Sequence, residues 1–299
     1  MARRIVVTGG TGFVGRVVCE RLFERDAGTA IVVPTRQLPR GNVIRMLPTV
    51  ELVRCNVHEP QQLAAVFDGA DTLIHLVAIL HGTAQAFEQV HVALPRKLAA
   101  ACRAAGVQRV VHVSALGVAT DAPSAYLRSK AAGEAVWRDS GLDVTIVRPS
   151  VIFGAEDRFT NLFVRLQRLF PVLPLAGADA LFQPVWVSDV ARAIVASVDR
   201  PAPAGGIVEI AGPEVLSLKQ IVQHVGRLAG CERPVLPLPE AIGRVQAALM
   251  ALLPGTPLMS ADNLLSMRVP NVASGALPGL AELGLRPATI DILGAHFAR

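Results

Sequence analysis

The sequence predicts an α/β protein. A doubly wound parallel sheet over residues 1–150 is followed by a smaller mixed α/β lobe over residues 151–299. Three observations carry this. Short apolar runs alternate with helix-periodic stretches through the first half. A glycine cluster sits where the first run gives way to the first helix. After Pro149 the alternation breaks up, and proline and glycine punctuate residues 170–187.

The elements follow in order. RIVVTGG (4–10) is an apolar run ending in glycines, and VGRVVCERLFER (14–25) has helical periodicity. TAIVVPTR (29–36) and VELVRCNV (50–57) are further strands, with the short helix PQQLAAVFDG (60–69) after them. ADTLIHLVAI (70–79) is the fourth strand. The stretch 86–106 reads as one long helix, entered or kinked around Pro95. VQRVVHVSALG (107–117) is the fifth strand. SAYLRSKAAGEAVWRDSG (124–141) is a helix stopped by Gly141, and LDVTIVRPS (142–150) is the sixth strand. Strands apolar throughout belong to a parallel sheet covered on both faces. Right-handed crossovers then bring every strand's C-terminal end to one edge, where ligands bind.

In the second half, SDVARAIVASVD (188–199) and 206–230 are αβ-like, and residues 185–212 are expected to pack back on the first unit. The last apolar stretch, 238–259, places Ile242, Val245, Leu249 and Leu252 on one helical face. It is lobe core, the wall of an apolar pocket, or a membrane-surface helix.

Composition narrows the function. The hydrophobic fraction is 52% and mean hydropathy +0.44, enough for a large core. No uncharged apolar run reaches the roughly 18 residues of a spanning helix, and the opening MARRIVVTGG enters a strand without a signal-peptide pattern. The four cysteines, at 19, 55, 102 and 231, lack clip or redox spacing and suit a reducing, cytoplasmic compartment. Peripheral contact at the inner membrane face is the alternative location. The net charge of +5 does not point to nucleic acid, because the arginines are dispersed and no basic run interleaves with aromatics. The seven histidines show no metal-ligand spacing, so no metal is expected. Arg158 in EDRF (156–159) is either a substrate contact or part of a solvated loop.

VTGGTGFVG (7–15) spaces Gly9, Gly12 and Gly15 three apart, after a strand and at the start of a helix. A Rossmann-type dinucleotide site needs this. The chain turns sharply, bare backbone approaches a pyrophosphate, and a helix N-terminus faces the negative charge. The bend, with Phe13, Val14 and Arg16, is the expected cradle. The second strand ends Pro34-Thr35-Arg36-Gln37, without the carboxylate that holds an NAD ribose. Arg36, with Arg16 as a second partner, suits a 2′-phosphate, which favours NADP(H) over NAD(H).

The chain has one tyrosine, Tyr126, and Lys130 lies four residues after it on the same helix face. A phenol titrates near 10, too high for ready proton exchange at neutral pH. A nearby ammonium and a bound nicotinamide's charge are expected to lower it, so that Tyr126 can exchange a proton with a carbonyl or alcohol oxygen. Ser114 ends the fifth strand at the ligand edge, placed to orient that oxygen.

In these motifs the chain resembles the short-chain dehydrogenase/reductase superfamily in its extended, NAD-dependent epimerase/dehydratase branch. HLVA (75–78), RPSVIFG (148–154) and QPVWVSDVARAIV (183–195) add to the match. YLRSKAAGEAVWRDS and RPSVIFGAEDRFTN look like the nucleotide-binding accessory subunits of respiratory complex I and their bacterial relatives. The resemblance implies a nicotinamide nucleotide and a Tyr–Lys–Ser site, with Lys130 also on the ribose. It implies Val77 and Ala78 along the adenosine or ribose, and Pro149 to Ile152 flanking the nicotinamide. Asn56, followed by Val57, stands where relatives carry an adenine-contacting aspartate. SALG is shorter than the polar segment of sugar epimerases, which argues against a sugar-nucleotide substrate. Three functions stay open. One is an oxidoreductase acting on a small, hydrophobic carbonyl or alcohol such as a quinone. Another is a non-turnover nucleotide-binding subunit of a respiratory or quinone-pathway complex. The third is a redox sensor that binds nucleotide and a protein partner.

Overall fold

A computed structural model describes residues 3–199, 206–239, 241–243 and 260–297. Most of the amphipathic stretch 238–259, including Val245, Leu249 and Leu252, lies outside the described residues. The strands are β1 (Arg4–Thr8), β2 (Ala30–Thr35), β3 (Val50–Arg54), β4 (Thr72–His75), β5 (Arg109–Val113), β6 (Asp143–Pro149), β7 (Ile152–Phe153), β8 (Leu173–Ala176), β9 (Leu181–Phe182), β10 (Val185–Trp186), β11 (Ile207–Ile210), β12 (Leu216–Ser217) and β13 (Val235–Leu238). The main helices are α1 (Phe13–Arg25), α2 (Pro60–Phe67), α3 (Ala84–Glu88), α4 (Leu94–Ala105), α5 (Ala125–Arg138), α6 (Thr160–Leu169), α7 (Val187–Asp199) and α8 (Leu218–Leu228).

Seven strands form one parallel sheet in the order β11-β6-β5-β4-β1-β2-β3. Both faces of each strand are used. In β1, Ile5 and Val7 pack with Val18 and Leu22 of α1 and Ile194 of α7. Val6 between them packs on the other face, with Leu63 and Phe67 of α2 and Leu98 of α4. All are fully buried, which is why these strands read as continuous apolar runs rather than alternating ones. The strand order reverses between β1 and β4, so a crevice opens at their C-terminal ends.

Residues 185–210 contribute β10, paired with β7, then α7 against α1, and β11 as the seventh strand on β6. The lobe proper has its own core, where Phe163 and Val164 of α6 meet Ile221, Val222 and Val225 of α8. Its β8 and β13 pair in parallel.

The structure differs from expectation in one helix. Residues 84–105 are not continuous: α3 and α4 are joined by a π-helical turn, Gln89–Ala93. Pro95 has no N–H to give to the His91 carbonyl four residues back, so a regular turn cannot close there. The freed carbonyl projects at Gly133 of α5, where an added Cβ would stand only 2.1 Å from it. No helix among the described residues is long and apolar enough to cross a membrane.

Candidate nucleotide and reactive site

The glycine bend is shaped by backbone crowding. Gly9 has φ of +81°, a left-handed conformation that side chains resist. A Cβ on Gly15 would lie 2.3 Å from the Gly9 carbonyl oxygen and 2.5 Å from Gly10 Cα, so Gly15 lets α1 press onto the bend. At Gly12 the situation reverses: a Cβ would meet only the Gly9 oxygen, at 3.2 Å. Its missing side chain leaves open space in front of the helix. Gly12 is also the N-cap of α1, makes no side-chain cap bond, and is followed by no acidic residue in the first turn. The leading N–H groups of α1, on Phe13, Val14 and Gly15, have no acceptor within the helix. An uncapped, uncrowded 13-residue helix start fits a dinucleotide pyrophosphate.

Around the bend, an added Cβ on Gly9 would come within 3.2 Å of Leu76 and Val77, so the β4 loop borders the cradle. Val77 and Val57 are partly buried against the α2–α4 side of the sheet, and Ala78 is exposed. Asn56 turns into its own loop: its Oδ1 accepts the His58 N–H at 3.3 Å, and its N–H donates to Gln62 at 2.8 Å. Arg36 is exposed at the end of β2. Burial, then the Lys97 and Arg36 charges, hold His58 below its ordinary value. Arg16 is engaged elsewhere, in an ion pair with Glu156 that ties α1 to the loop after β7. Pro149 closes β6 and Ile152 opens β7.

The reactive edge lies one strand over. Ser114 directly follows β5, is buried, and donates its N–H to Val147 O at 2.7 Å. Its hydroxyl is buried and has no hydrogen-bond partner among the described residues. Lys130 is fully buried, and its Nζ donates to the carbonyl of Val113, the residue before Ser114, at 2.7 Å. Burial lowers Lys130 to about 8, against the raising influence of Glu134. Tyr126 sits one helical turn earlier, edge-on to Phe87 at 6.1 Å and His91 at 5.7 Å between ring centroids. Burial pushes its phenol up to about 12. That is the reverse of the lowering expected from a nearby ammonium and a bound nicotinamide together, because burial disfavours the phenolate.

Residues that sequence reading did not single out hold this edge in place. His91, delivered by the π-helical turn, accepts the Ile79 N–H through Nε2 at 3.2 Å. Its Nδ1 must then carry the proton, given to Ser129 Oγ at 2.8 Å, and Ser129 donates to the Tyr126 carbonyl at 2.7 Å. Glu134 of α5 and Arg148 of β6 form a bidentate pair at 2.9 and 2.6 Å with the carboxylate buried. The only available signals were generic, a histidine and a charge pair without motif spacing.

The profile of the NAD dependent epimerase/dehydratase family matches residues 5–211. The chain belongs to that family. Within it, the chain is 30% identical over 300 aligned positions to NADH dehydrogenase [ubiquinone] 1 alpha subcomplex subunit 9, mitochondrial, of Mus musculus, covering 98% of this chain and 79% of that one. It is 27% identical to (4-alkanoyl-5-oxo-2,5-dihydrofuran-3-yl)methyl phosphate reductase of Streptomyces griseus, covering 95% and 94%. The fold matches that of the NADPH-dependent quinone oxidoreductase QOR2 of Escherichia coli, complexed with NADPH. The TM-score is 0.79 at 20% identity, over 99% of this chain and all of that one. The epimerase/dehydratase match ends at residue 211, so most of the lobe lies beyond the shared family region.

Proposed function

We propose that this protein is a nicotinamide-nucleotide-dependent reductase of a carbonyl group on an apolar molecule, a quinone among the candidates. The carrying observation is the buried Ser114 hydroxyl, without a partner among the described residues and one residue beyond the carbonyl that Lys130 binds. A buried hydroxyl left without a partner costs about 1–3 kcal/mol, which a substrate oxygen would relieve. The cradle Gly9–Arg16 would hold the pyrophosphate, and a bound reduced nucleotide would supply hydride. Ser114 would orient the substrate oxygen. Tyr126 would give that oxygen its proton, with a bound nicotinamide's charge offsetting the burial that raises its phenol. Lys130, anchored at Val113 O, would supply positive charge at this edge. Arg36, exposed at a strand end that lacks a carboxylate, supports NADP(H) over NAD(H).

The test is Tyr126→Phe, assayed with NADPH against benzoquinones and aldehydes. Turnover should fall by about 10²–10⁴-fold while NADPH affinity by calorimetry stays unchanged. A Phe variant as active as wild type sinks the role of Tyr126.

A second reading is supported by the 30% identity along nearly the whole chain to a subunit of mitochondrial NADH dehydrogenase. In it the nucleotide is structural, and the protein is a peripheral component of a membrane-bound respiratory assembly. Bound nucleotide without turnover, together with co-migration with a membrane complex, would favour it.

A further inference from the structure

Residues 260–274 run across the ligand edge of the sheet and touch each segment that carries or borders a reactive residue. Asp262 accepts the Ala125 N–H at 2.7 Å and the Tyr126 N–H at 3.0 Å. Val269 packs on Gly117, three residues beyond Ser114, where an added Cβ would stand 3.0 Å from Val269 Cγ1. Asn271 Oδ1 accepts from Ser150 Oγ and the Val151 N–H, both at 2.7 Å, just after β6. Ser274 donates its N–H to Glu209 of β11 at 2.6 Å.

Of these contacts, the one from Asp262 bears directly on chemistry. Helix α5 begins with three N–H groups that its own turns cannot satisfy before Arg128 closes the first bond, to Ser124 O. The Ser124 side chain serves Leu127, at 3.2 Å. The other two belong to Ala125 and Tyr126, and one carboxylate from a short helix (Ala261–Ser266) takes both. That carboxylate also favours the positive end of the α5 dipole. Asp262 is itself held, since Ser260 and Asn263 form a capping box around the start of its helix.

Tyr126 and Lys130 are therefore secured by different means. Lys130 lies a turn inside α5 and is anchored through its own bond to Val113 O. Tyr126 lies in the turn that frays first, and the backbone groups that set its direction are tied to a residue 136 positions away. We infer that Asp262 is the positioning residue of Tyr126, through which the second lobe controls presentation of the phenol without touching the nucleotide cradle. This rests on the reading of Tyr126 as proton donor.

Because Tyr126 is the only tyrosine, the full chain labelled with 15N-tyrosine gives a single backbone amide resonance. In Asp262→Ala that amide should exchange with solvent at least about tenfold faster, in keeping with the loss of a charge-assisted hydrogen bond. Calorimetric affinity for NADPH should be unchanged. With NADPH and a water-soluble benzoquinone as probe, kcat should fall about tenfold at unchanged KM for NADPH. Asp262→Asn, which keeps one acceptor oxygen, should recover part of both effects, and it decides the matter where the alanine variant does not fold. An unmoved Tyr126 amide in either variant overturns the proposal. So does a lower unfolding midpoint with kcat per folded molecule intact, the mark of a merely structural cap. Absence of turnover in wild type is a failure of the reductase reading. The amide measurement then still decides whether Asp262 holds Tyr126.

Discussion

The candidate nucleotide cradle at β1 and the candidate reactive edge at β5, with β4 between them, are built on opposite plans. The cradle is contiguous: β1, the bend and the start of α1 span Arg4 to Arg16, and its chemistry is backbone. The reactive edge is assembled from Ser114, Tyr126, Lys130, the His91 turn and Asp262, drawn from four distant stretches. A local motif tolerates little change, because every atom in it does several jobs. An assembled one can be tuned piece by piece, because each piece has its own support.

The strongest way to break that contrast is at Gly15. In Gly15→Val the side chain would enter the backbone of Gly9 and Gly10 at 2.3–2.5 Å. The cost should be about 3 kcal/mol or more, with loss of NADPH binding, read by thermal unfolding and calorimetry.

Next is the buried pair on the reactive side. Glu134→Ala leaves Arg148 without its carboxylate and unpins α5 from β6. Denaturant unfolding should show a loss of about 3–5 kcal/mol. The replacement Glu134→Gln, which keeps shape and one acceptor, should lose less. If both variants match wild type, α5 is held by packing alone.

Acid tests the same region without mutation. Burial lowers His75 and His91 from 6.5 to about 3, and His112 well below 6.5. Between these values the unfolded chain binds protons that the folded one refuses, so stability is fully present above pH 6.5 and is lost as pH falls toward 3. The slope should be roughly 1 kcal/mol per pH unit for each histidine. Replacing the stacked pair His75 and His112, 5.2 Å apart, with Phe or Leu should flatten it. An unchanged slope would place the acid sensitivity elsewhere.

The smallest effect belongs to the cradle's rim. Arg36→Ala should weaken NADPH about tenfold and leave NADH nearly unchanged, as compared by calorimetry. Equal loss for both would remove the 2′-phosphate from the argument.

Legibility followed the same division. The glycine spacing, the uniformly apolar strands and the Tyr126–Lys130 offset could be read directly, because each is imposed over a few neighbouring residues. The break at Gln89–Ala93 was half visible: Pro95 announces a kink, but only Gly133 on another helix shows where the displaced His91 carbonyl goes. The direction of the Tyr126 shift could not be read, because spacing says nothing of how deeply the phenol is buried.

By itself, then, the sequence determined the family's sheet, the bare bend at its edge and the candidate Tyr126–Lys130 pair on one helix face. Those properties follow from local sterics, strand burial and helical periodicity. Tertiary structure alone decided that Arg16 pairs with Glu156, that Lys130 faces Val113 and that Asp262 holds Tyr126. Contacts between residues far apart in the chain obey no period. They exist only once the sheet has brought its strand ends together.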